Sequence, residues 1–122
     1  MPKIKIYSTL NSPEGIEKKE IIGILENDII IYKEDSVDVT IQILDNKIKL
    51  NRKSKEYDIN MNFIKNDETI GNYIIDENMV LDLKIKTNIL EIKENKIIIE
   101  YELIIADELV GTFNWVIDYE VI

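Results

Sequence analysis

Hydrophobic and polar residues alternate one by one along most of the chain, which is the pattern of a β-strand that buries one face. The longest run is 97–105, where every odd-numbered residue is Ile, Tyr or Leu. The same alternation appears in 37–43, 57–63 and 81–85. Because no window of about 11–18 residues favours the helical period, the pattern predicts an all-β chain.

Residues 14–25 leave two interpretations open. Pro13-Glu14-Gly15 followed by residues 16–22 is compatible with one helical turn. The other interpretation is a strand from about 17 to 26, which we favour.

Short polar segments separate the predicted strands at 26–28, 45–46, 66–68, 76–78, 94–95 and 107–108. They are rich in Asn and Asp, which tolerate the positive φ of tight hairpin turns. The short spacing leaves no room for crossover helices, so the strands are predicted to be antiparallel and paired in sequence order. With no Pro/Gly/Ser-rich linker, residues 1–122 form one domain of about eight to ten strands.

Matching the apolar faces across each turn predicts the register. A two-residue turn at Asp45-Asn46 sets Ile43 against Ile48 and Val39 against Arg52. A turn at 94–95 sets Leu90 against Ile99, and a one-residue bulge near Thr87-Asn88 then keeps Lys84 and Lys86 off the core side. A three-residue turn at 107–109 gives these facing pairs: Ile105 with Gly111, Leu103 with Phe113, Tyr101 with Trp115, Ile99 with Ile117, and Lys96 with Glu120 on the outer face.

A meander with one apolar face per strand can stay open, fold into a sandwich or close. Closure buries the inner face and removes the sheet edges. We therefore favour a single antiparallel up-and-down β-barrel over a sandwich.

Composition narrows the chemistry. Among 122 residues there are 15 Lys+Arg, 24 Asp+Glu, no Cys and no His, for a formal net charge of −9. These counts exclude disulfides, thiol nucleophiles, Cys/His zinc sites and a His base. An acidic surface disfavours nucleic acid and anionic membranes. The first residues alternate charge and Ile, unlike a signal peptide, and we expect a cytoplasmic protein.

Several segments resemble the YwiB-like, calycin-type β-barrels of bacteria. They are 48–52 (IKLNR), Tyr73 before the 76–78 turn, 81–87 (LDLKIKT), 99–103 (IEYEL) and Gly111. The similarity spans about residues 16–121, with Asn78 where that family usually has Gly. The resemblance implies a closed barrel of the lipocalin and fatty-acid-binding kind and carries no assigned activity.

Arg52, the sole arginine, is the first candidate binding residue. The register directs it toward the face of Val39 and Leu50, where an unpaired guanidinium is costly. It can anchor a carboxylate or phosphate inside the barrel. Alternatively it lies at the barrel mouth with its head in water, or stacks on Trp115 or a tyrosine.

Tyr73, Tyr101 and Trp115 are the other candidate ligand-binding residues, because their phase points inward. They can line a cavity and orient a ligand, or they can simply fill the core.

Three functions follow. The first is a small barrel that binds an apolar or amphipathic ligand, with an anionic one meeting Arg52. The second is a non-catalytic structural or protein-interaction module with a filled core and an exposed patch at Ile98, Ile104, Val116 and Ile122. An enzyme ranks last, because the carboxylates, including Glu100/Glu102 and Asp118/Glu120, fall mostly on the outward phase. No cofactor and no metal site are expected.

Overall fold

The structure is a computed structural model that describes residues 2–76 and 78–122. Among these residues there is no helix, and so none that is long and apolar enough to cross a membrane. The strands are Lys3–Ser12 (β1), Gly15–Glu26 (β2), Ile29–Glu34 (β3), Val37–Leu44 (β4), Lys47–Lys53 (β5), Asp58–Ile64 (β6), Asp67–Asp76 (β7), Met79–Lys93 (β8), Lys96–Ile105 (β9) and Glu108–Val121 (β10).

These ten strands form a closed antiparallel barrel in which each strand pairs with its neighbour in sequence. The barrel closes where β1 pairs with β10, from Ile4 opposite Val121 to Asn11 opposite Asn114. Closure leaves every strand with two neighbours, which satisfies the backbone groups that a sheet edge would expose. The predicted all-β barrel is confirmed.

Most of the tight turns have the backbone that their Asn and Asp residues predict. Asn46, Asn66 and Asn95 have φ of 58°, 60° and 61°, in the left-handed region where Asn is tolerated. The predicted turn at 76–78 includes residue 77, which lies outside the described residues. The ambiguous segment 14–25 is strand from Gly15 onward.

Two of the predicted registers are confirmed. Ile43 faces Ile48 and Val39 faces Arg52 across the β4–β5 turn. Leu90 faces Ile99 across the β8–β9 turn, and a bulge interrupts the pairing between Thr87 and Ile89. The bulge restores the phase of β8, so that residues on both sides of it bury their apolar face.

The register predicted across the last hairpin is wrong by two residues. The turn is formed by Ala106-Asp107 alone, with φ of 52° and 63°, and a bulge lies between Leu109 and Gly111. The corrected facing pairs are Leu103 with Gly111, Tyr101 with Phe113, Ile99 with Trp115, Ile97 with Ile117, and Lys96 with Asp118. A shift of two residues leaves every side chain on its own face, so matching apolar faces cannot detect it.

The apolar core occupies the middle of the barrel and extends toward the end that carries the chain termini. Its fully buried side chains include Ile4, Ile30, Ile48, Phe63 and Ile97. Thr87 is the one buried polar side chain among the described residues. The opposite end carries the β1–β2, β3–β4, β5–β6, β7–β8 and β9–β10 connections, and its inward positions are less apolar.

Candidate functional site

A cavity of about 280 Å³ opens at this second end of the barrel. Twelve side chains line it: Ser8, Leu10, Glu17, Lys19, Tyr32, Glu34, Leu50, Arg52, Ile59, Met61, Tyr101 and Trp115. All twelve lie on the inward phase of their strands. Because side chains alternate between the two faces of a strand, the same phase that faces the core also faces the cavity at the mouth. The cavity therefore lies beyond one end of the packed core, and a second pocket of about 650 Å³, with Asp28, Ile43 and Lys65 in its lining, lies at the other end of the barrel.

Large, buried side chains form the floor of the cavity. Tyr32, Leu50, Met61, Tyr101 and Trp115 are all buried, and they separate the cavity from the fully packed core. The indole Nε1 of Trp115 donates a hydrogen bond of 2.9 Å to Oγ of Ser8 on the neighbouring wall. This bond satisfies the polar group of a buried tryptophan and fixes the orientation of its ring.

Four charged residues line one wall of the cavity. Glu17 and Lys19 belong to β2, Glu34 ends β3, and Arg52 lies near the end of β5. Lys19 continues the inward phase of Ile21 and Gly23, and Glu34 continues that of Tyr32. We call these four residues the charged row; it holds two carboxylates and two cations.

Salt bridges join all members of the charged row. Nζ of Lys19 bonds Oε1 of Glu34 and lies 2.9 Å from Oε1 of Glu17. Nη1 of Arg52 lies 3.6 Å from Oε2 of Glu34. Glu34 is thus shared between two cations, one on each of its oxygens. Its side chain is only 14% exposed, against 29% for Arg52, so the centre of the row is largely shielded from solvent.

The pKa values show that both central charges are retained. Burial alone would raise the pKa of the Glu34 carboxyl, but the hydrogen bond from Lys19 and the charge of Arg52 hold that pKa below its ordinary value. Burial likewise opposes the charge of Arg52, yet Glu34 and a hydrogen bond with Tyr57 keep the pKa of Arg52 above its ordinary value. An ionised, cation-paired carboxylate has no proton to give, which makes Glu34 a poor general acid at neutral pH.

The two tyrosines of the floor remain protonated. Burial, with the nearby charge of Glu34, raises the pKa of Tyr32 to about 12. Burial also raises the pKa of Tyr101 to about 12, against the opposing effect of Arg52. Both hydroxyl groups are therefore neutral at physiological pH and can donate or accept hydrogen bonds.

The charged row spans a separation between two strands. β2 and β3 share only four facing pairs, from Glu26–Ile29 to Gly23–Tyr32. In the described part of the chain, residues 15–22 of β2 pair with β1 alone. The Lys19–Glu34 salt bridge crosses this separation, so side chains connect the two strands where backbone hydrogen bonds do not.

The structure brings three of the four predicted binding residues together. Arg52, Tyr101 and Trp115 all line the cavity. Tyr73 is half-buried and packs against the ring of Tyr57, at 5.8 Å between ring centroids, outside the cavity lining. The stacking partner of Tyr101 is Phe113, at 5.1 Å and 9° between the ring planes, rather than Arg52.

Sequence reasoning missed Glu17, Lys19 and Glu34. The signal was present, because each residue lies two or four positions beyond an apolar inward residue of its own strand. Charge obscured it, since charged residues in strands usually face water. The carboxylates were expected to fall mostly on the outward phase, and this expectation is wrong for Glu17 and Glu34.

The other surface features lie as follows. Ile98, Ile104 and Val116 are half-buried, whereas Ile122 is 60% exposed. Ile98 faces Val116, and Ile104 faces Leu109. No cluster of three or more acidic side chains with metal-ligand geometry occurs among the described residues.

These features define a class of protein: a closed ten-stranded antiparallel β-barrel, consistent with the calycin type, with a small cavity at one end. The chain belongs to the family described as a domain of unknown function, DUF1934, whose family model matches residues 12–117. It is similar to the crystal structure of the ywiB protein from Bacillus subtilis, with a TM-score of 0.61 and 16% sequence identity over 98% of this chain and 89% of that chain. This likeness concerns the fold, and together with the family model it confirms the resemblance to the YwiB-like family. No curated protein matches the chain in sequence.

Proposed function

We propose that the protein binds a small apolar or amphipathic molecule in the cavity at the open end of the barrel. One observation carries the proposal: the barrel is hollow where Arg52, Tyr101 and Trp115 meet. Ligand pockets commonly measure about 300–1,000 Å³, so a cavity of about 280 Å³ suits a molecule at the small end of that range.

The lining supports an amphipathic ligand. The floor offers buried apolar and aromatic surface, and the wall offers the charged row together with the hydroxyl groups of Ser8, Tyr32 and Tyr101. An apolar group placed on the floor gains the free energy of leaving water, while a few fixed polar groups orient the other end.

Trp115 makes the proposal directly testable. It is the only tryptophan of the chain and it lines the cavity, so an occupant changes the surroundings of its indole ring. Titration with short amphiphiles, followed by Trp115 fluorescence and by the thermal shift, is expected to give a saturable change with at least one of them. A complete absence of saturable change across apolar, anionic, cationic and neutral compounds would refute cavity binding.

A matched pair of variants separates cavity binding from surface adsorption. Leu10→Phe enlarges a side chain of the cavity wall and is expected to weaken binding. Asn11→Phe adds the same ring at the next position of β1, where the side chain is exposed, and is expected to leave binding unchanged. Equal effects of both variants would place the binding outside the cavity.

A cytoplasmic location is part of this proposal. Fractionation of cells that express the full chain would test it, with recovery in the cytosolic fraction as the expected result.

A further inference from the structure

We infer that the cavity selects a ligand with no net charge, either zwitterionic or uncharged. The inference rests on the proposed binding function and specifies the chemistry of its ligand. It differs from the expectation raised by Arg52 alone, which was an anionic ligand.

The positive and negative charges of the cavity wall balance one another. Glu17 and Glu34 supply two negative charges, and Lys19 and Arg52 supply two positive ones. Because these residues are joined by salt bridges within the wall, the cavity as a whole is neutral. A ligand with a net charge would add an uncompensated charge to a partly desolvated site, which is unfavourable for either sign.

Glu34 lies between the two cations of the charged row. Its Oε1 is engaged by Lys19 and its Oε2 by Arg52, so the carboxylate that Arg52 requires is already supplied by the chain. A ligand carboxylate would have to displace Glu34 from Arg52. The largely shielded Glu34 carboxylate would then lose one of its two cations. The net charge of −9 on the whole chain further disfavours the approach of an anion.

The cavity lining also contains neutral hydrogen-bonding groups. The hydroxyl groups of Ser8, Tyr32 and Tyr101 lie in the same lining, and they can bond a polar head without adding charge. The alternating order of negative and positive groups along the charged row also complements a head that carries both signs. A zwitterion can contact an acid and a base of the row at once, and the total charge stays at zero.

The test compares four straight-chain probes of eight carbon atoms each: octanoate, octylammonium, octanol and zwitterionic 2-aminooctanoate. Binding is measured by Trp115 fluorescence at constant ionic strength. The full-length protein is expected to bind octanol or 2-aminooctanoate about ten-fold more tightly than either charged probe. Tightest binding of octanoate or octylammonium would overturn the inference.

Substitutions in the charged row test the same inference by changing the net charge of the cavity wall instead of the charge of the probe. Glu34→Gln leaves the wall with an excess positive charge, and we expect it to bind octanoate about ten-fold more tightly than the unaltered chain does. Arg52→Gln leaves an excess negative charge and is expected to favour octylammonium. The double variant restores neutrality and the original order of affinities. An order that does not respond to these changes would also overturn the inference.

An exposed salt bridge provides matched controls. Lys33 and Asp38 lie 3.7 Å apart on the outer surface, with side chains 67% and 70% exposed. Asp38→Asn and Lys33→Gln change the net charge as Glu34→Gln and Arg52→Gln do, but outside the cavity, and they are expected to leave the order of affinities unchanged. If no probe binds any variant, the proposed binding function itself fails, which is distinct from binding with the opposite charge preference.

Discussion

At the scale of single residues, Glu34 determines what the cavity can hold. An arginine directed into a barrel must find a negative partner, because an isolated buried charge costs several kcal/mol. The chain supplies this partner from β3, and it places Lys19 on the other carboxylate oxygen. Arg52 is therefore part of a balanced set of charges, and its presence alone does not call for an anion from outside.

Glu34→Gln is expected to destabilise the protein by about 1–3 kcal/mol at pH 7, between the values for exposed and fully buried salt bridges. Because the pKa of Glu34 is lowered in the folded state, its contribution is present above the ordinary pKa of 4.5. The contribution is lost as the pH falls through the folded-state pKa. Urea unfolding of both proteins from pH 7 to pH 3 would measure this, and the difference is expected to shrink as the pH falls.

Asp38→Asn is the control for this pH dependence, because Asp38 forms an exposed salt bridge with Lys33. It is expected to change stability by less than about 1 kcal/mol. A pH-independent difference for Glu34→Gln would mean that packing, and not charge, is what the substitution removes.

At the scale of elements, the barrel is held together unevenly. β6 and β7 share only three facing pairs, Asp58–Ile74, Ile59–Tyr73 and Asn60–Asn72, whereas β1 and β2 share ten, from Lys3–Ile24 to Ser12–Gly15. The backbones of β6 and β7 come very close at Gly71. A Cβ at this position would lie 2.2 Å from the backbone oxygen of Asn60, so only glycine fits.

Gly71→Ala is expected to destabilise the barrel by about 1–3 kcal/mol, since the added methyl group must push apart two backbones that cannot rotate away. The measurement is the midpoint of urea unfolding monitored by circular dichroism. Ile70→Ala serves as the neighbouring control, because Ile70 is 61% exposed and its loss is expected to cost less than about 1 kcal/mol. Equal effects at the two positions would contradict the close approach at Gly71.

At the scale of the whole molecule, excess negative charge opposes the compact state. The chain carries 24 acidic and 15 basic residues, and several of its salt bridges, such as Lys33–Asp38 and Lys96–Asp118, are exposed. Exposed pairs contribute little, whereas repulsion within a net charge of −9 acts over the whole surface. Screening of that repulsion by salt should therefore stabilise the fold.

An increase in NaCl from about 10 mM to about 500 mM shortens the distance over which charges interact from about 30 Å to a few ångströms. We expect the Tm, measured by circular dichroism at pH 7, to rise by about 2–5 °C. An uncharged solute at the same osmolarity as the NaCl solution is the control. A fall in Tm with salt would show that the attractive pairs outweigh the repulsion.

The local pattern of the sequence was sufficient for the strands, most of the turns and their antiparallel order, and it favoured a closed sheet without deciding it. Alternation with period two specifies which face of a strand is buried, and Asn or Asp at positive φ specifies where it turns. The register across Asp45-Asn46 and the bulge near Thr87 followed from the same matching of apolar faces. Arg52, Tyr101 and Trp115 were found because inward phase can be counted along each strand.

Three features could be seen only in the tertiary structure. They are the register of the last hairpin, the separation of β2 from β3, and the salt bridges within the charged row. A two-residue shift preserves every face, so the alternation cannot distinguish the predicted register of the last hairpin from the observed one. Glu34, the partner of Arg52, lies 18 positions away from it in the chain, and Lys19, the second cation on Glu34, lies 33 positions from Arg52. Their convergence depends on the curvature of the sheet, because β2, β3 and β5 direct these side chains to a common point only where the strands curl around one interior.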